Sequence, residues 1–262
     1  MKLGCCLNML GDEREPIGMK YMPALKKAGY DYMELPLAQI MDLSDADYDR
    51  LRREVEKTGI PCECCNNFFP ATVRLTGETA DPIQIGDYAR KAIERARKLG
   101  AKIIVFGSSG AKNIPEGFDR HRAFCQIVNT LKIADAYALP AGIHIVIEPL
   151  NRMESNVILN LSEGDFLMKE AGRPSVRLLV DYYHFTMEKE SLDTLRDRMA
   201  NIDHVHFAEP VGRRFPTKHK AEYEEFFQVL KNGRYDGRVS VEAYSDEPER
   251  DIERAVFLRD YL

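Results

Sequence analysis

The chain has 262 residues, with 37 Lys and Arg against 42 Asp and Glu, a formal net charge of −5 and 44% hydrophobic residues. This acidic balance supplies no global field for nucleic acid, and the apolar content is that of a globular protein with enough chain to bury a large core. No apolar run approaches the ~20 residues of a membrane span, and MKLGCCLNML lacks the h-region and cleavage pattern of an export signal. The six cysteines are therefore read as reduced thiols of a cytoplasmic protein.

In chain order, apolar runs rich in β-branched residues recur as KLGCCLN, YDYMELP near 30, IPCECCNNFF near 60, AKIIVFG near 101, GIHIVIEPLNR, VRLLVDYYHF, IDHVHFAEP and GRVSVEAY. Amphipathic stretches lie between them: ADYDRLRREVEKTG, DPIQIGDYARKAIERARKLG, HRAFCQIVNTLKIADAYA, SEGDFLMKEAG and KAEYEEFFQVLKNG. Gly59, Gly100, Gly172 and Gly233 follow the last periodic residues and read as helix stops in the left-handed conformation. Eight strand and helix alternations predict a (β/α)₈ TIM barrel of class α/β, with residues 1–262 as one domain. Runs such as IIVF and IHIVI suit strands covered on both faces. A doubly wound open sheet shares the alternation.

The last four strands decide between the two architectures and point to chemistry. They close on Glu148, Asp181, His206 and Glu242, spaced by 33, 25 and 36 residues. Each ending alone is what a strand emerging into solvent would show, and a D-x-x-H pairing of Asp181 with His184 is common by chance. Four in succession define a mouth: in a closed barrel these ends curve round one point, whereas in an open sheet they lie in a row. His204 and His206 alternate along one strand and share a face, and Glu242 between Val241 and Ala243 needs a partner for its charge. Three carboxylates and one imidazole make an oxygen-rich site for one divalent ion, Mn²⁺ first, with Mg²⁺, Co²⁺ or Zn²⁺ as alternatives, rather than a thiolate-bound structural zinc. Cys62, Cys64 and Cys65 have no second cluster at zinc spacing and read as strand packing. Glu34, Asn66 and Asn67, at the ends of strands two and three, read as further lining of the mouth.

The segments E-P-L-N-R-M-E, D-Y-Y-H, H-V-H-F-A-E and V-E-A-Y resemble the ketose 3-epimerases of the D-tagatose and D-psicose (allulose) type, within the xylose-isomerase-like sugar isomerases and epimerases. The resemblance covers the barrel in outline and is specific from about Ile143 to Tyr244. It implies that Glu148, Asp181, His206 and Glu242 bind the metal, that Glu148 and Glu242 face opposite sides of the carbon that loses and regains a proton, and that Glu154 and His184 hold the substrate. Where the family carries an arginine six residues after the metal-binding histidine, this chain has Gly212, followed by Arg213 and Arg214. A one-residue loop difference puts Arg213 in the role of substrate clamp. The chain has no tryptophan, and its fourth loop, GSSGAKNIPEGFDR, departs from those epimerases. Both departures fall where substrate identity is decided.

A metal that chelates a carbonyl and its neighbouring hydroxyl stabilises an enediolate, and a positioned carboxylate base contributes roughly 10²–10⁴-fold. The expected activity is thus metal-dependent epimerisation or isomerisation of a keto-sugar or related carbohydrate, by a chain that is also compatible with a homo-oligomer. A lyase or dehydratase on a keto-sugar or inosose, including 3-keto-glycoside cleavage, would use the same intermediate. A non-catalytic sugar-binding barrel has no need of both glutamates. An endonuclease IV type of nuclease needs more than the six histidines present, two of which, His121 and His219, lie away from strand ends.

Overall fold

The computed structural model describes residues 1–262. Eight parallel strands form a closed barrel in sequence order: β1 Lys2–Cys6, β2 Tyr32–Pro36, β3 Cys62–Asn66, β4 Ile103–Phe106, β5 His144–Ile147, β6 Val176–Asp181, β7 Ile202–Phe207 and β8 Arg238–Val241. Closure is explicit at β1, where Cys5 is in register with Met33 of β2 on one side and Val241 of β8 on the other. The open-sheet alternative is thereby excluded. No helix is long and apolar enough to cross a membrane.

All five expected helices form, as Asp45–Thr58, Pro82–Leu99, Arg120–Ala141, Leu161–Ala171 and Ala221–Asn232. Four of them start where a short polar side chain accepts an early backbone N–H: Ser44, Asp81, Asp119 and Asn160. Gly59, Gly100 and Gly172 end theirs in the left-handed conformation, with φ of 67°, 99° and 57°. Gly233 does not: its φ is −77°, and the left-handed residue there is Arg234, at 57°. Gly233 is needed for space, because a Cβ on it would lie 2.8 Å from Cγ of Met199.

Most apolar burial lies between the sheet and the helices, in a continuous cluster of 70 residues. The barrel interior holds a separate cluster of only six: Tyr32, Cys64, Ile103, Val105, Val146 and Leu179. The rest of that interior is polar, occupied by Glu34, His204, His206 and Ser240, all fully buried. Alternation along β7 explains the division. Phe207 points outward into an aromatic group with Tyr182 (centroids 4.7 Å apart), Tyr223 (4.9 Å) and Phe227 (5.2 Å), and its anchoring turns His204 and His206 inward.

Two register irregularities sit beside the polar interior. In one, Met33 and Glu34 of β2 pair with Cys62 and Cys64 of β3, so that Glu63 is the extra residue; in the other, Leu178 and Leu179 of β6 pair with Ile202 and His204 of β7, Asp203 is extra, and Asp181 comes opposite His206. Such bulges re-aim the side chains that follow. Gly4 of β1 makes room for Tyr32: an added Cβ would lie 2.2 Å from the ring. That ring is pinned by a 2.7 Å hydrogen bond between its hydroxyl and Ser240 Oγ. Gly4→Ala should therefore destabilise the protein by about 1–3 kcal/mol, the usual cost of overpacking. Urea unfolding should show a lower midpoint at unchanged slope.

Candidate functional site

Four elements deliver the four strand-end residues to one place. Glu148 and Glu242 follow β5 and β8 by one residue, yet their backbone N–H groups still donate across the sheet, to the carbonyls of Phe106 (3.2 Å) and Phe207 (3.1 Å). Their side chains therefore stand on barrel backbone rather than on free loop. Asp181 ends β6 and caps the short helix Tyr182–Met187. Its Oδ1 accepts the N–H of Tyr183 at 2.8 Å, which leaves Oδ2 for the mouth. His206 presents Nδ1 3.1 Å from Glu148 Oε1 and 3.1 Å from Glu242 Oε2. One ligand atom from each of the four lies within 4.8 Å of the other three, and all four residues are buried.

Gly107, directly after β4, lies against the Glu148 carboxylate: a Cβ there would fall 1.9 Å from Glu148 Oε2, so a side chain at 107 would push that carboxylate out of place. Lys112, fully buried, donates to the Gly107 carbonyl at 2.7 Å. Asn66, at the end of β3, donates to Glu242 Oε1 at 3.0 Å and to Asn8 Oδ1 at 2.8 Å.

Arg213 reaches the cluster, and Arg214 does not. Gly212 and Arg213 are consecutive left-handed residues, with φ of 75° and 49°, and they turn the loop so that Arg213 points inward. Its guanidinium bonds Asp181 Oδ2 at 3.2 Å, Glu154 Oε2 at 3.4 Å and Glu242 Oε2, and lies 4.9 Å over the Tyr183 ring. Arg214 turns to Asp246 at 3.0 Å in an exposed pair.

His184 is oriented by Asn151, whose backbone N–H (3.1 Å) and side-chain amide (2.9 Å) both donate to Nδ1. The ring proton is thus on Nε2, a buried nitrogen with no hydrogen-bond acceptor, 3.5 Å from Asp181 Oδ2. Burial and the positive charge of Arg213 hold His184 well below the usual imidazole range. It is a neutral donor aimed at the mouth.

His206 and Arg213 bridge the acidic cluster. Burial pushes the Asp181 carboxyl up to about 7, aided by Glu148 and Glu242 and opposed by Arg213. Burial also opposes ionisation of Glu242, but His206 and Arg213 outweigh it and hold that carboxyl down to about 2. His206 is buried, yet Glu242 and Glu34 raise it well above its ordinary value. Burial lowers Lys112 to about 8, with Glu148 and Glu154 resisting.

Of the sequence-predicted residues, Glu148, Glu154, Asp181, His184, His206, Arg213 and Glu242 all converge. Glu34 does not line the mouth. It lies fully buried beneath it, bonded to both His204 and His206. Glu209, three residues after His206, is paired with Lys220. All six cysteines are free, and burial pushes the thiol of Cys64 well up, in keeping with strand packing. Asn151 and Lys112 were visible in the sequence only as members of loops, because nothing in their spacing marks what they touch.

Three carboxylates and an imidazole nitrogen on one buried point, with a free N–H donor beside them, suit a hard divalent cation. A parallel eight-stranded barrel bearing such a cluster at the C-terminal ends of its strands belongs among the barrel enzymes whose chemistry is placed at that face. More particularly, the chain belongs to the xylose isomerase-like TIM barrel family, whose family model matches residues 22–261. It is 26% identical over 232 residues to the D-psicose 3-epimerase of Agrobacterium fabrum, covering 86% of this chain and 78% of that protein. It is 25% identical over 251 residues to the L-ribulose 3-epimerase of a Methylomonas species, covering 93% and 84%. In fold it is similar to a crystal structure of D-psicose 3-epimerase obtained in the presence of D-fructose, with a TM-score of 0.85, 22% identity and coverage of 100% and 99%.

The geometry separates the two loop arginines. Arg213→Ala leaves buried carboxylates without their cation and should cost about 3 kcal/mol in chelator-treated protein. Arg214→Ala should cost under about 1 kcal/mol, as exposed pairs do. Thermal melting of both variants in EDTA checks the contrast.

Proposed function

We propose that this protein is a divalent-metal-dependent sugar epimerase or isomerase acting on a keto-sugar or related carbohydrate, with Glu148 and Glu242 as its acid/base pair. The observation that carries the reading is the placement of these two carboxylates, from β5 and β8, each 3.1 Å from the same imidazole nitrogen of His206. Glu148, Asp181, His206 and Glu242 would hold the ion, Mn²⁺ before Mg²⁺, Co²⁺ or Zn²⁺. When bound, it supplies Lewis-acid polarisation of a substrate carbonyl. The names of the epimerases to which the chain is similar support the same substrate class.

The chain's own residues do the rest. A substrate carbon between β5 and β8 has Glu148 on one side and Glu242 on the other. One carboxylate takes the proton and the other returns one to the opposite face, which inverts the centre. His184 donates from Nε2 to a substrate oxygen, while Arg213 and Glu154 grip the neighbouring oxygens. Return of the proton to the adjacent carbon would instead interconvert ketose and aldose within the same set of groups.

Reaction in D₂O should therefore place solvent deuterium at the inverted carbon. Glu148→Gln or Glu242→Gln should lower kcat by at least about 10²-fold, the share of a positioned base, and by more than the accompanying loss of bound Mn²⁺ explains. Keto-sugar turnover followed by NMR, with metal occupancy measured in parallel, checks both. Release of water or a second product would identify a lyase. Conversion without deuterium uptake would identify a hydride shift and remove the two-carboxylate mechanism.

Affinity for Mn²⁺ should also rise with pH. Asp181, pushed up to about 7 by burial, is protonated below that pH, and its proton must leave before it ligates. Above about 7 it is already ionised and this cost disappears. Calorimetric titrations between pH 6 and 8 in buffers of different ionisation enthalpy should show weaker binding at the acid end, with proton release.

A further inference from the structure

Beneath the cluster, Glu34 is a fully buried carboxylate with three partners: His206 Nε2 at 3.0 Å on Oε1, and His204 Nε2 at 2.8 Å and Ser240 Oγ at 2.6 Å on Oε2. Ser240 is bonded in turn to the Tyr32 hydroxyl at 2.7 Å. Glu34 belongs to β2 and its partners to β7 and β8, so the network spans the barrel interior. Alternation along β2 aims it there, since Tyr32, two residues earlier, lies in the same interior.

We propose that Glu34 is the positioning residue of the metal site: it takes the Nε2–H of His206 and so commits the opposite nitrogen, Nδ1, to the cation. The proposal rests on the metal-binding reading above. His206 has two ring nitrogens, and only Nδ1 faces Glu148 and Glu242. A neutral imidazole in the other tautomer would turn an N–H toward the cation and leave Glu34 Oε1 without its donor. The carboxylate also raises the electron density of the ring that ligates, as carboxylates behind metal-bound histidines do. His204 has a different task. Its ring does not face the cluster, and its hydrogen bond to Oε2 completes the partners of a buried charge that would otherwise be very costly.

The test is calorimetric titration of Mn²⁺ alone into chelator-stripped wild-type, Glu34→Gln and Ser240→Ala proteins, with metal-free melting curves alongside. Glu34→Gln keeps the shape and one acceptor oxygen but removes the charge. It should bind Mn²⁺ about 10–100-fold more weakly, whereas Ser240→Ala, which perturbs the same buried network without touching His206, should stay within a few-fold of wild type. Equal losses in both variants would make Glu34 a packing element and overturn the proposal, as would wild-type affinity in Glu34→Gln. Absence of Mn²⁺ binding by the wild type would overturn the metal reading itself, a distinct result. Should Glu34→Gln fail to fold, ¹⁵N-histidine NMR of the wild-type protein loaded with Zn²⁺ decides. A proton on Nε2 of His206 supports the assignment, and a proton on Nδ1 sinks it.

Discussion

Everything at the mouth of this barrel follows from crowding negative charge at one buried point. Two unit charges about 5 Å apart repel by roughly 3 kcal/mol at an effective dielectric constant of about 20, and Glu148, Asp181 and Glu242 each bring a carboxylate oxygen within 4.8 Å of the others. Such an arrangement persists only with compensating positive charge. Arg213 bonds Asp181 and Glu242 directly, Asp181 is shifted toward its protonated form, and His206 toward imidazolium. On the proposed reading, a divalent cation would supplement these compensations.

The fold supplies the rigidity that this crowding demands. A closed barrel has no edges, and both glutamates remain hydrogen-bonded into the sheet through their backbone amides. The outward aromatic group around Phe207 fixes the facing of β7, and the buried bond from Glu34 fixes the ring of His206 from behind. The repulsive groups are thus held from the backbone, from the neighbouring strand and from beneath. The arrangement cannot relax by splaying apart.

The eight strands were legible because each is covered on both faces and therefore reads as a short, nearly continuous apolar run. The four ligand positions were legible for a related reason: a charged residue closing such a run has few explanations, and four in a row have fewer. Glu34 was visible as a strand-end acid, but its role was not. Its partners lie 170 to 206 residues away, and nothing in its local sequence marks it as sitting under the mouth rather than at it. Arg213 became legible through the family resemblance, since two adjacent arginines in a loop look equivalent until the left-handed turn at Gly212 and Arg213 separates them. Gly233 is the converse case. Its position after a helix suggested a left-handed stop, whereas the close approach of Met199 is the constraint it meets.

The site divides along the barrel in a way that bears on how its chemistry and its selectivity are encoded. Strands β5 to β8 and their loops carry the four cluster residues together with Glu154, His184 and Arg213, the groups that touch charge and protons. Strands β1 to β4 contribute support from the other side: Asn66, itself bonded to Asn8, holds Glu242, Gly107 admits Glu148, Lys112 braces Gly107, and Glu34 holds His206. Supporting contacts of this kind hold the charged groups in place from behind. The half that carries the charged cluster is the half in which the sequence resembles the ketose 3-epimerases. The fourth loop, where Lys112 is buried against Gly107, is where it departs from them. On the proposed reading, selectivity among sugars is expected to be written in the β1 to β4 loops, apart from the carboxylate cluster carried by β5 to β8.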